Sequence, residues 1–265
     1  MKLRLVSIIA AFAALTFVTS CGGPDTPAGG ESPSASAPAN APGRTAAAVE
    51  AEAAADAAAA DAAVAGNVAQ TAGRFQLGTH YQRLSPTQRT MVADADHVEV
   101  TEAFWYGCPH CYAAEPFFSR WLESKPDYIT FVRLPITWDR VPIVHARLYY
   151  TVEALDKLDE MHTAIFDAIH KDASNRKTLL DEQELVEFFG QFGVSAERFR
   201  EVWNSQSILE VKLPRAFEFM QRYEVDGVPA VIINGKYTTS VTEAGSHEAL
   251  FELIDELAAA EHEGE

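Results

Sequence analysis

Cysteine is scarce in this chain: three in 265 residues, at positions 21, 108 and 111. So few thiols exclude a small scaffold in which several disulfides stand in for a core. Cations are scarce too. Lys and Arg total 21 against 38 Asp and Glu, a formal charge of −17, and that sign argues against nucleic acid and anionic lipid surfaces as partners. From Gly22 to Arg74 large apolar side chains are almost missing from a stretch of Ala, Pro, Gly and Ser. Such a segment cannot bury enough surface to offset the entropy of ordering, and it reads as a linker. The apolar run Leu5 to Val18 is too short to span a membrane.

What that run does resemble is a leader. Met1-Lys2-Leu3-Arg4 gives a basic start, the apolar stretch has signal-peptide length, and Val18-Thr19-Ser20-Cys21-Gly22 resembles a bacterial lipobox. The resemblance implies cleavage before Cys21 and its acylation, with an ordinary leader cleaved elsewhere as the alternative. Residues 1–20 are then a lipoprotein-type signal peptide and 21–74 a lipidated linker. Gly22 in place of an acidic residue is compatible with the outer membrane. Without Lys2 and Arg4 the balance is 19 basic to 38 acidic residues, near −19. The Ala-rich middle, Ala46 to Ala65, favours helix by propensity but has no packing face. A flexible tether of this length reaches roughly 40 Å.

What is present is Cys108-Pro109-His110-Cys111. The run before it, Val98 to Tyr106, is short, β-branched and aromatic, the mark of a strand buried on both faces. Proline suits the first position of a helix, which puts Cys108 at the N-cap. Unpaired helical N–H groups and the positive end of the helix dipole favour a thiolate there, and His110 adds a donor or cation of the same preference. A well-stabilised thiolate makes the disulfide easy to reduce, so the pair is pushed toward being an oxidant. Structural zinc would need two further ligands at compatible spacing. Cys21 is distant, and His145, His162, His170 and His247 form no H-x3-5-H pair, reading instead as surface or core residues. A C-x2-C loop closes too little chain to matter as a structural disulfide.

The folded part begins near Phe75. Strand character at 98–106 is followed by a helix from 109 to about 124 and a strand from Tyr128 to Leu134. Helical periodicity then runs over Val144–His170, Asp181–Phe192 and Ser195–Tyr223, with interruptions expected at Asn175 and near Gly193 and Pro214. Asp181 with Glu184 forms a capping-box-like start, and Ser195 opens another helix. Ala230-Val231-Ile232-Ile233, Asn234-Gly235 and Lys236 to Ser240 form a hairpin signal, and Ser246 to Ala260 closes as an amphipathic helix. Counting by two along the first strand, Glu102 shares a face with Val98, Val100 and Phe104, so the period that buries those side chains buries a carboxylate and raises its pKa.

This order predicts an α/β thioredoxin-like fold with an inserted all-α subdomain. Phe104-Trp105-Tyr106-Gly107-Cys108-Pro109-His110-Cys111-Tyr112, together with Gly227-Val228-Pro229-Ala230 and the hairpin after it, resembles the DsbA family of bacterial periplasmic disulfide oxidants over about residues 76–262. The resemblance implies a domain at 75–265, with a thioredoxin part at about 75–140 and 217–265. It implies a helical insert at about 141–216, lying over the thiols beside an apolar groove. It further implies a cis Pro229 facing the thiols and a thiol:disulfide oxidase that needs no cofactor beyond its Cys108–Cys111 disulfide. Cys108 is attacked by a client thiolate and Cys111 resolves the mixed disulfide. Glu102 matches the family's buried acid and moves the proton of Cys111, and Val228 offers its backbone to an extended client. The implied partners are reduced or unfolded exported proteins and a quinone-linked, DsbB-like membrane reoxidant. The protein is then a periplasmic monomer tethered to a membrane through Cys21.

The rival readings are an isomerase or reductase, and an anchored module holding zinc or copper. DsbC-type isomerases carry a dimerisation domain and a threonine before the cis-proline, where this chain has a linker and Val228.

Overall fold

The computed structural model describes residues 74–92, 94 and 96–264. Cys21, the leader and the linker up to residue 73 lie outside the described residues. A five-stranded sheet takes the order β1-β5-β4-β2-β3. Its strands are β1 Gln82–Arg83, β2 Val98–Phe104, β3 Ile129–Pro135, β4 Ala230–Ile233 and β5 Tyr237–Thr239. β2 lies second from one edge and all seven of its residues are buried, Glu99 and Glu102 included, as a strand covered on both faces requires of every side chain it carries. It pairs in parallel with β3, Glu102 opposite Arg133, and antiparallel with β4, Glu102 opposite Val231. Asn234 and Gly235 both take positive φ, 51° and 63°, the conformation that a two-residue hairpin matched to strand twist demands.

Helix α1, Pro109–Leu122, follows β2 with Cys108 as its N-cap in extended conformation. It packs with the C-terminal helix α8, His247–Glu263, through Phe118, Trp121, Leu250, Leu253 and Ile254 against Val98, Val100, Val231 and Ile233. The short helix α7, Val241–Ala244, precedes α8. A second core joins Phe104, Tyr106, Cys108, Cys111 and Leu134 to the inserted helices. These are α2 Arg140–Ala154, α3 Leu158–His170, α4 Glu182–Gly190, α5 Ala196–Trp203 and α6 Leu213–Arg222, the last entered through a π-wound turn at Ser207–Lys212.

The structure corrects the sequence reading in the insert. The Val144–His170 period is two helices, broken where Asp156 takes φ 56°; the Leu155 and Lys157 amides close back on Val152 O, so the apolar period resumes on a new axis. The Ser195–Tyr223 period breaks after Trp203, whereas Pro214 sits in the first turn of α6, where its missing N–H costs little. Asp181 caps α4 by accepting from the Glu184 N–H at 2.9 Å. Glu184 does not return the bond to Asp181 but accepts from the amides of Thr178 and Leu179. Ser195 caps α5.

Candidate active site

The strand-to-helix junction delivers both thiols to one spot. Cys108 N–H donates to Trp105 O at 2.9 Å, tightening the turn, and Tyr112 N–H donates to Cys108 O as the first bond of α1. Gly107 is required beside them, because a Cβ there would lie 2.3 Å from the Trp105 ring. Both cysteines are free thiols. Cys108 is 7 % exposed and Cys111 fully buried. From the opposite side comes the loop before β4, with a cis Val228–Pro229 peptide, and the Cys108 thiol donates to Val228 O at 3.4 Å.

The two sulfurs ionise very differently. Cys108 is pulled down to about 6, chiefly by the Cys111 thiol, which donates to the anion. Burial opposes this; the amides of Cys111 and His110 and the charge of His110 add to it. The helix terminus and His110, which the sequence put first, therefore rank behind the second cysteine. Cys111 is driven far above an ordinary thiol by burial, by its role as donor to Cys108, and by the negative charges of Cys108 and Glu102.

Glu102 lies fully buried on β2, and burial raises its carboxyl to about 8 against the attraction of Arg133. The sequence reading missed its surroundings. Arg133 Nε stands 3.2 Å from Glu102 Oε2, yet neither Glu102 oxygen nor that nitrogen has an aligned hydrogen-bond partner. The same guanidinium donates from Nη2 to Glu115 Oε1 of α1 at 3.3 Å. Glu115 is held below the usual carboxylate range although burial opposes it, because the contacts with His162 and Arg133 outweigh that cost. His162 of α3 sits with Nε2 3.4 Å from Glu115 Oε2 and Nδ1 2.8 Å from the Tyr106 hydroxyl. The signal for Arg133 was present in the register: a strand parallel to β2 places residue 133 opposite residue 102. His162 had no such signal.

The histidines first read as surface or core residues divide. His145 and His162 are buried and His170 is half-buried. His170 Nε2 lies 2.7 Å from Tyr106 O, its ring stacks on Tyr112, and Tyr112 donates to Asp167; the insert is thereby pinned to the thiol-bearing turn. His110 is exposed beside Cys108. It lines a groove of about 580 Å³ with Ala113, Val228, Pro229 and His247. Polar and apolar groups share its wall: Thr238, Thr239, Ser240, Glu224, Asp226 and Glu243 stand beside Val228, Pro229, Ile232 and Val241, because β5, the segment after it and the loop before β4 present hydroxyls and carboxylates among apolar side chains. Among the described residues no group of three His, Cys, Asp or Glu is placed to hold a metal ion.

A family profile described as a DSBA-like thioredoxin domain matches residues 99–255. The chain belongs to the DsbA family. The thiol:disulfide interchange protein DsbA of Pseudomonas aeruginosa is 36 % identical over 194 residues, spanning 73 % of this chain and 89 % of that protein. The protein of the same name from Azotobacter vinelandii is 32 % identical over 210 residues, 75 % of this chain and 96 % of its own. Among solved structures, Pseudomonas aeruginosa DsbA superposes with a TM-score of 0.66 at 35 % identity, covering 71 % of this chain and 95 % of that one. The oxidoreductase NmDsbA1 of Neisseria meningitidis gives 0.60 at 28 % identity, covering 72 % and 96 %. Family membership and the paired thiols make this DsbA-family chain a thiol:disulfide oxidoreductase with a thioredoxin-like fold.

Proposed function

We propose that this DsbA-family protein oxidises the thiols of exported proteins in the periplasm. A client thiolate attacks Cys108 Sγ, the Cys108–Cys111 bond breaks, and the electron pair leaves on Cys111, which takes a proton from Glu102. A second client thiolate then attacks the client sulfur of the mixed disulfide and expels Cys108 as a thiolate. Two electrons pass from client to protein, the client gains a disulfide, and the protein becomes a dithiol. In reoxidation, by a quinone-linked membrane protein of the DsbB kind, Cys108 attacks the partner's disulfide and Cys111 resolves the mixed species after returning its proton to Glu102. Val228 supplies backbone groups to an extended client beside Pro229, and Pro109 and His110 set the helix start and its field. Residues 1–20 act as a leader, and acylated Cys21 with the linker to 74 tethers the domain to a membrane.

The observation that carries this reading is the unequal pair: a sulfur easily ionised at the mouth of the site and one held as a thiol beneath it. Stabilising the thiolate stabilises the dithiol and makes the disulfide an oxidant. Equilibration with glutathione buffers tests it. The expected midpoint is well above thioredoxin's value of about −270 mV; a midpoint at or below that value overturns the oxidase assignment in favour of a reductase. Cys111→Ser is expected to accumulate mixed disulfides with clients and Cys108→Ser to form none.

A further inference from the structure

We propose that His162, carried into the site by the inserted helix α3, is a positioning residue that fixes Glu115 on Arg133 and so leaves Glu102 as the acid that carries the proton opposite Cys111. The proposal rests on the reading of Glu102 as the proton partner of Cys111.

The geometry starts from the tautomer. Nδ1 of His162 lies 2.8 Å from the Tyr106 hydroxyl and Nε2 faces Glu115 Oε2 at 3.4 Å. Were Nδ1 protonated, the Nε2 lone pair would face a carboxylate oxygen. The favourable arrangement has Tyr106 O–H donating to Nδ1 and the Nε2 proton on the side of Glu115. Burial and the charge of Arg133 keep the imidazole neutral, so it contributes a dipole and not a cation.

Glu115 thus accepts an aligned bond from Arg133 Nη2 on Oε1 and has His162 Nε2 within 3.4 Å of Oε2, a contact not aligned as a hydrogen bond, while neither oxygen of Glu102 has an aligned donor. One buried cation faces two buried acids, and a second anion there would be uncompensated. The acid with the better donors ionises and the other retains its proton. The groups facing Glu102 are Arg133 of β3, Glu115 and Cys111 of α1, Tyr106 from the turn after β2, and Tyr149 of α2. Across β4 it meets Val231. Only the Glu115–Arg133 pair decides which acid is charged, and His162 touches that pair from the insert.

The experiment follows the infrared carbonyl stretch of protonated carboxylic acid in the reduced protein as a function of pH, with Glu102→Gln assigning the band. In the unsubstituted protein the Glu102 band is expected to titrate near pH 8. His162→Phe removes the N–H that faces Glu115, frees Arg133 to pair with Glu102, and is expected to lower that midpoint by about one unit. His162→Gln retains an N–H donor and is expected to restore the midpoint. Tyr106→Phe, which removes one oxygen and releases the tautomer, is expected to shift it in the same direction as His162→Phe and serves if that variant does not fold. A merely structural His162 would lower Tm and leave the midpoint in place, which overturns the proposal. If Glu102→Gln removes no band, the reading of Glu102 as proton holder fails first and this proposal with it.

Discussion

At the scale of single residues, the two sulfurs and the buried acid give opposite pH signatures. The folded state depresses Cys108 from an ordinary 9.0 to about 6. Its thiolate therefore contributes stability to the dithiol form that is fully present above pH 9 and is lost as pH falls through 6; the disulfide form has no such contribution. At pH 7 this favours the reduced protein by something on the order of 1 kcal/mol after allowance for solvent screening at the cleft mouth. Denaturant melts of both redox forms at pH 5, 7 and 8.5 are expected to show the gap widening with pH, and a gap that stays constant contradicts the assigned ionisation. Glu102 runs the other way. Its folded value is raised from 4.5 to about 8, so its contribution is fully present below pH 4.5 and is lost as pH rises through 8. Glu102→Gln is expected to stabilise the fold at pH 7 by about 1–3 kcal/mol, with no gain at pH 4, while slowing the steps that need Cys111 to exchange its proton. Melts at the two pH values check the first claim and single-turnover kinetics the second.

At the scale of elements, the Asn234–Gly235 turn and the helical glycines make a matched pair of tests. Gly235 has φ 63°, and a Cβ there would meet the Gln88 carbonyl at 2.1 Å. Gly235→Ala is expected to cost about 2–4 kcal/mol because both the conformation and the space oppose it. Gly190, at the end of α4, has nothing within 4 Å of a would-be Cβ and ordinary φ, and Gly190→Ala is expected to gain about 0.5 kcal/mol by restricting the unfolded chain. Thermal melts that rank the two alike would contradict this account. These features were readable in advance because their causes are local: the hairpin in Asn-Gly, the helix start in Cys108-Pro109, the buried strand in its short β-branched and aromatic run. Glu102 was readable because a period of two carries a polar residue wherever it carries its apolar neighbours. Arg133 and Glu115 were not read, since they meet Glu102 only through a parallel register and a helix packed across it. His162 reaches the cluster from 60 residues downstream of Glu102 by sequence numbering, and nothing in its own helical period distinguishes it from a core histidine. The break at Asp156 escaped for another reason: an acidic residue adopting positive φ leaves the hydrophobic spacing on either side intact.

At the scale of the whole molecule, charge decides which clients arrive first. The chain carries −17, and the groove beside Cys108 adds Glu224, Asp226 and Glu243 to its wall. Glu224 and Asp226 are solvent-exposed, so their field reaches an incoming segment before any backbone contact with Val228 forms. Backbone pairing is indifferent to client sequence; the field is not. Two dithiol peptides identical except for flanking Lys or Glu residues are expected to react with the oxidised protein at rates differing by about tenfold at low ionic strength, the cationic peptide faster. The difference is expected to shrink as salt brings the screening length from about 30 Å at 0.01 M to about 8 Å at 0.15 M, because the steering acts over distance and the chemistry at the sulfurs does not. Glu224→Gln with Asp226→Asn narrows the difference further at low salt if the groove carboxylates carry it; an unchanged difference in that double variant assigns the preference to the net charge of the molecule instead. Equal rates for the two peptides at every ionic strength would mean that neither field reaches the attacking thiolate, leaving client choice to the accessibility of the cysteine alone.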